Sequence, residues 1–208
     1  MKRYFYFLII ILVLAIGGVF YRKLTSNPVP TPISTNSTTL VSQTKISALD
    51  FPIDRFKERI TKKPFGIYVS PTNSPVSPEI FTGYHTGLDV EYQDIITDVP
   101  VYAINNGEIT LSETASGYGG VFILNTTING TKHSVLYGHI RPATLPKVGA
   151  SFQKGDKISL LGTGYSQETD YERRNLHFAV LSNERLDIKG YISRESGLSD
   201  WLDPLSLY

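Results

Sequence analysis

The chain has 208 residues, a net charge of +1 and no cysteine. That length leaves room for one domain plus appendages, and the charge balance gives no reason to expect a nucleic-acid partner. Without cysteine there are no disulfides, thiolate metal sites or cysteine nucleophiles, so a metal must be held by Asp, Glu or one of four histidines, His85, His133, His139 and His177.

In chain order the first predicted element is hydrophobic. Lys2 and Arg3 precede an uncharged apolar run of 18 residues, Tyr4 to Tyr21. As a helix it would span about 27 Å at about 1.5 Å per residue, close to a bilayer core of about 30 Å. The run ends in Gly17-Gly18-Val19-Phe20-Tyr21 with no Ala-x-Ala pattern, and a cleaved signal usually has a shorter apolar core of about 7–15 residues. Residues 1–23 therefore read as an uncleaved signal anchor, a transmembrane helix; secretion after cleavage is the alternative. Positive charges flank both ends, and the expected orientation leaves the long C-terminal part outside the cytoplasm. Residues 24–48 are rich in Ser, Thr, Pro and Asn and carry one charge, Lys45. Such a segment cannot bury a core and reads as a flexible linker.

Residues 49–208 make up the expected folded domain. Its pattern is short β-prone runs separated by glycine-bearing turns, which predicts a mainly antiparallel β-sheet domain. Val99 to Ile104 and Glu108 to Leu111 flank Asn105-Asn106-Gly107, a hairpin signal. Val121 to Leu124 and Ser134 to Tyr137 flank a turn near Asn129-Gly130. Lys157 to Leu161 and Leu176 to Leu181 are further strands. A short helix is expected only in Asp54 to Ile60.

The candidate metal ligands start at His85-Thr86-Gly87-Leu88-Asp89. In a straight strand residues four apart lie about 13 Å from each other at about 3.3 Å per residue, too far to share a metal with bonds of about 2 Å. Gly87 therefore has to let the backbone turn sharply. In Asn175-Leu176-His177-Phe178-Ala179-Val180, alternation puts Leu176, Phe178 and Val180 on one face and Asn175, His177 and Ala179 on the other. His177 thus points away from the apolar set, with Asn175 one strand repeat, about 6.5–7 Å, away, a neighbour of a bound metal rather than a ligand. Tyr137 and His139 are expected to share a face, and His133, beside a turn, to be exposed. His85, Asp89 and His177 would leave a fourth position for water, the arrangement of a catalytic rather than a structural zinc site.

Together these motifs resemble the M23 family of zinc metallopeptidases, the lysostaphin-type peptidoglycan endopeptidases, whose pattern is His-x-Gly-x-Asp, then Tyr-x-His, then His-x-His-Phe. The resemblance covers most of residues 50–208 and includes Val99-Pro-Val-Tyr-Ala103, Gly117-Tyr118-Gly119, Tyr137-Gly-His139, Lys154-Gly155-Asp156, Gly162-Thr-Gly164 and Trp201-Leu-Asp-Pro204. It implies a compact antiparallel β-sheet with a groove across it. It also implies zinc held by His85, Asp89 and His177, a catalytic His139, and peptidoglycan stem or cross-bridge peptides as substrate. The family's second catalytic histidine, the first of His-x-His, is Asn175 here.

In the implied reaction zinc lowers the pKa of its water toward about 7, and histidines move protons to and from the reacting groups. Asparagine can do neither near neutral pH, although its amide can orient a water. Loss of a positioned acid–base group typically costs about 10²–10⁴-fold. Three readings follow: a membrane-anchored zinc endopeptidase acting on peptidoglycan; a zinc-binding, catalytically weak domain that binds wall peptides or regulates another hydrolase; and a general exported β-domain with incidental histidines, which the combination of motifs argues against. The sequence assigns no oligomeric state.

Overall fold

Residues 48–208 are described by a computed structural model, and their regular structure is antiparallel β with four short 3₁₀ turns and no α-helix. The expected anchor, and the expected linker apart from Ala48, lie outside the described residues. Among the described residues no helix is long and apolar enough to cross a membrane. In chain order the strands are β1 (Tyr68–Val69), β2 (Gly83–His85), β3 (Leu88–Glu91), β4 (Pro100–Tyr102), β5 (Gly107–Ala115) and β6 (Gly119–Ile128). There follow β7 (Thr131–Ile140), β8 (Ser151–Phe152), β9 (Lys157–Leu160), β10 (Asn175–Leu181), β11 (Tyr191–Ile192) and β12 (Trp201–Leu202). The main sheet runs β12-β10-β7-β6-β5-β8, with β3 also paired to β10; β1-β2-β11 and β4-β9 form smaller sheets.

The long β6–β7 hairpin is closed by Asn129 and Gly130, at φ 50° and 83°, with Ile128 opposite Thr131. Two consecutive positive φ values are what a two-residue type I′ hairpin turn requires, and an Asn-Gly pair supplies them at low cost. The expected hairpin at Asn105-Asn106-Gly107 does not form. None of the three residues has a positive φ. β4 pairs with β9 instead, while β5 pairs with β6 and β8. Asp54 to Ile60 is also not a helix. It is a run of turns with one helical-type bond, Arg59 N–H to Arg55 O at 3.2 Å, and Arg55 has φ 49°, which breaks a right-handed helix at its start.

Period-2 alternation sorts the core. Phe122, Leu124, Val135, Tyr137, Leu176, Phe178 and Val180 face one side of the main sheet, packed with Ile53, Phe56 and Val101. Val121, Ile123, Leu136, Ala179 and Leu181 face the other side with Tyr118 and Trp201. A sheet buried on both faces reads as near-continuous apolar strands, and each large side chain withdrawn from water contributes about 1.5–3 kcal/mol. His133, expected to be exposed, is buried, because β7 lies inside the sheet between β6 and β10. Its Nδ1–H donates to Leu181 O at 2.8 Å.

Candidate metal centre

The site forms on the second face of the sheet. β3 pairs with β10 so that Asp89 lies directly opposite His177, and facing residues of an antiparallel pair bring their Cβ atoms to about 4.5–5.5 Å. The chain bends at Thr86 and Gly87 between β2 and β3, so that His85 returns over the same point. The sequence reading gave Gly87 the role of permitting a special turn. The structure assigns it another: its φ is not positive, and a Cβ there would sit 2.4 Å from Phe178 O. Glycine is needed for close approach to β10. The bend is fastened by Thr86 Oγ1–H to Lys189 O at 2.6 Å, and by His85, whose N–H donates to Ile67 O and whose carbonyl accepts from Gly66 N–H, both at 2.9 Å.

Three lone-pair atoms converge as a result. His85 Nε2 is 3.0 Å from His177 Nδ1, His177 Nδ1 is 3.2 Å from Asp89 Oδ1, and His85 Nε2 is 3.3 Å from Asp89 Oδ1. A tetrahedral ion with bonds of about 2.0–2.1 Å places its ligands about 3.3 Å apart, so the donor set fits zinc. The three are buried and form a metal-competent group. His85 Nδ1–H donates to Pro64 O at 3.2 Å, which fixes the tautomer that leaves Nε2 free, the kind of supporting contact metal-ligating histidines usually have. Burial pushes the His177 imidazole down, favouring the neutral form that ligates. Burial pushes Asp89 up, but the neighbouring His85, the Arg173 guanidinium and the bond to His177 outweigh it and hold its carboxyl well below the usual carboxylate range.

Asp89 is shared. Its Oδ2 accepts from Arg173 Nη2, and Arg173 Nε donates to Glu91 Oε1 at 3.0 Å. Arg173, 6% exposed, therefore orients the carboxylate so that Oδ1 faces the histidines. Sequence reasoning missed this residue, and it missed Pro64, Lys63 and Tyr191 as well. Arg173-Arg174 looks like any charged strand entry, and only the fold turns both side chains inward.

His139 does not share a face with Tyr137. Tyr137 is in the core, stacked on Phe122 at 4.6 Å, whereas His139 lines the cleft with Asp89 and His177. The cause is a β-bulge. Val121 pairs with Gly138 and Gly120 with Ile140, leaving His139 unpaired at φ 60°; one extra residue reverses the alternation. Its Nδ1–H donates to Tyr118 O at 3.2 Å, leaving Nε2 as acceptor, and burial pushes its pKa down to about 3. Asn175 is fully buried and is not part of the cleft wall. Its Nδ2 donates to Arg173 O at 3.0 Å, bracing the turn before β10. The cleft is about 370 Å³, walled also by Lys63, Phe81, Tyr118, Glu172 and Tyr191.

A family model described as peptidase family M23 matches residues 83–187, about half of the chain, which include His85, Asp89, His139, Asn175 and His177. The chain belongs to peptidase family M23. That makes it a peptidoglycan-related peptidase or an inactive homologue of one. Among solved structures, this M23 chain is similar to LytU (25% identity, 70% of this chain and 81% of that one, TM-score 0.44) and to a zinc-containing peptidase from Vibrio cholerae (22%, 64% and 36%, 0.40). It is also similar to a chain of the SpoIIQ–SpoIIIAH pore-forming complex (16%, 78% and 91%, 0.51). The M23 chain spans about a third of the length of the Vibrio cholerae chain. No curated protein matches it.

Proposed function

We propose that the chain is a membrane-anchored zinc endopeptidase that hydrolyses peptide bonds in peptidoglycan. The observation that carries this reading is the convergence of His85 Nε2, Asp89 Oδ1 and His177 Nδ1 within 3.0–3.3 Å of one another at a cleft of about 370 Å³. In this reading residues 1–23 anchor the chain, residues 24–48 tether it, and the domain from residue 49 acts outside the cytoplasm.

His85, Asp89 and His177 would hold zinc, which when bound supplies a Lewis acid and an acidified water. The protein's own groups do the rest. Arg173 and Pro64 hold two ligands in orientation. His139, neutral and held by Tyr118 O, offers Nε2 as a hydrogen-bond acceptor at the cleft. The wall of Phe81, Tyr118 and Tyr191 limits water and positions an extended peptide, and placing reactants in one geometry is a major part of catalysis.

Asn175 supports a second reading, a zinc-binding but catalytically weak domain that binds wall peptides or regulates another hydrolase. Its amide is engaged with Arg173 O, and it neither takes up nor releases a proton near neutrality. One experiment separates the two. The full-length chain is purified in detergent, its zinc stoichiometry measured, and the protein incubated with peptidoglycan. One zinc per chain and cleavage that disappears in His139→Ala supports the peptidase. One zinc and no cleavage, with cleavage gained in Asn175→His, supports the second reading. No zinc after reconstitution would sink both.

A further inference from the structure

The cleft holds few groups able to move a proton near neutral pH. Lys63 is engaged by Glu79 at 2.5 Å and by the Tyr191 hydroxyl at 2.9 Å. Lys189 is paired with Asp187 at 2.9 Å. Burial pushes the Tyr118 and Tyr191 phenols far above neutrality. Burial favours the neutral form of His139, whose Nδ1–H is committed to Tyr118 O, so it faces the cleft as an acceptor and not as an acid. The Asn175 amide is neither acid nor base near neutrality. Asp89 faces the two histidines and Arg173.

Glu172 remains. It lines the cleft with Asp89, His139 and His177, and it also lines the adjoining hollow beside Tyr165 and Tyr171. It is half-buried. Its backbone is fixed on both sides: its carbonyl accepts from Tyr165 N–H and Thr169 Oγ1–H, both at 2.7 Å, and Asn175 braces the next carbonyl at 3.0 Å. Its carboxylate has no hydrogen bond or ion pair among the described residues. The charges around it are Arg173 and Lys63, which favour the anion, and Glu79 and Asp89, which oppose it; burial is the largest influence, and the pKa is raised. A carboxylate shifted toward neutrality and left free is suited to general acid–base work, and a glutamate serves as the base in other zinc peptidases.

We propose that Glu172 is the catalytic acid–base residue of this site, in place of the histidine that Asn175 replaces. The inference rests on the peptidase reading. Its carboxylate takes a proton from the attacking water as the water oxygen bonds to the peptide carbonyl carbon. The carboxylic acid returns that proton to the amide nitrogen as the C–N bond breaks, leaving a carboxyl and an amine product and regenerating the Glu172 anion. Asn175 then has a positioning role, holding the turn that presents Glu172.

The test compares the full-length, zinc-loaded chain with Glu172→Gln and Glu172→Asp, reading kcat, KM, zinc content, thermal stability and the pH profile of kcat/KM. Glu172→Gln is expected to lower kcat about 10²–10⁴-fold, to leave KM and zinc content within twofold, and to abolish the acid limb of the profile. Glu172→Asp is expected to keep part of the rate with a shifted acid limb. A ¹³C carboxyl titration of the metal-free chain should show, besides the buried Glu91, a resonance titrating above the ordinary glutamate range that is absent from Glu172→Gln. Unchanged kcat and acid limb in Glu172→Gln overturns the assignment and leaves the peptidase reading standing. If Glu172→Gln loses zinc or unfolds, Glu172→Asp decides, and an unmoved acid limb there overturns it. A zinc-loaded unmodified chain that cleaves nothing overturns both.

Discussion

At the scale of single residues, the cleft wall depends on one buried ion pair. The Lys63 and Glu79 side chains are 1% and 2% exposed. Glu79 also accepts from Ser74 Oγ–H at 2.7 Å and from the N–H groups of Ile80 and Phe81 at 3.1 and 3.0 Å, so one carboxylate fastens the loop that carries Phe81 onto Tyr191, its stacking partner at 5.1 Å. Removing one partner of a buried pair strands a charge, at a cost of about 3–5 kcal/mol, whereas replacing both by apolar groups is often neutral. Glu79→Gln and Lys63→Met are each expected to lower the stability by that amount in denaturant titrations, and the double variant Lys63→Met/Glu79→Leu by far less. A loss in the double variant as large as the two single losses added together would show that the pair is not coupled. The pH dependence has a definite sign. Burial pushes the Glu79 carboxyl up, but its bonds to Lys63, Ser74 and Phe81 outweigh this, and its pKa is lowered from 4.5. Its contribution is therefore complete above that ordinary value and is lost as the pH falls through the lowered one. Glu79→Gln should flatten this part of the acid side of the stability curve.

At the scale of elements, the metal centre is a consequence of how closely β3 lies on β10. A Cβ at position 87 would stand 2.4 Å from Phe178 O and 2.8 Å from Ala179 Cβ, neither of which is a mobile side-chain end. Gly87→Ala must push the β2–β3 bend off β10 and separate His85 and Asp89 from His177. The expected outcome is a loss of about 1–3 kcal/mol, typical of overpacking, with zinc affinity reduced at least as much as by loss of a supporting contact, about 10–100-fold. Zinc titration with a competing chelator measures the second effect; an unaltered affinity would mean that the bend tolerates displacement. Much of this element-level arrangement was legible in the sequence. The alternation of Leu176, Phe178 and Val180 aimed His177 correctly, and Asn129-Gly130 marked a real hairpin because its φ values must be positive. Counting residues fails where one is inserted, so the bulge that turns His139 to the cleft was not legible. The Asn-Gly at 106–107 misled because strand partners are chosen by the whole sheet, and β4 found β9. Arg173 and Glu172 were invisible for a related reason: whether a charged residue faces water or a cleft depends on strands distant in the chain.

At the scale of the whole molecule, the proposed arrangement would join an anchor to a hydrolase through the Ser/Thr/Pro-rich segment, whose length would then set which bonds can be reached. Under that proposal a flexible tether of about 25 residues would have a root-mean-square span of about 25–30 Å and a stretched limit of about 80–90 Å. A tethered enzyme meets its substrate at an effective concentration set by that length, falling to near zero when the tether cannot span the gap. Deleting residues 26–45 is therefore expected to leave two properties unchanged: recovery of the protein with membranes, and hydrolysis of a short soluble wall peptide by the detergent-purified chain. Hydrolysis of intact wall by the membrane-bound form should fall steeply, and a Gly/Ser segment of equal length should restore it, since reach rather than sequence is what matters. Restoration by length alone would establish the segment as a spacer. Failure of the Gly/Ser segment would assign the segment a binding role, and recovery of the full-length chain in the soluble fraction would remove the anchor itself.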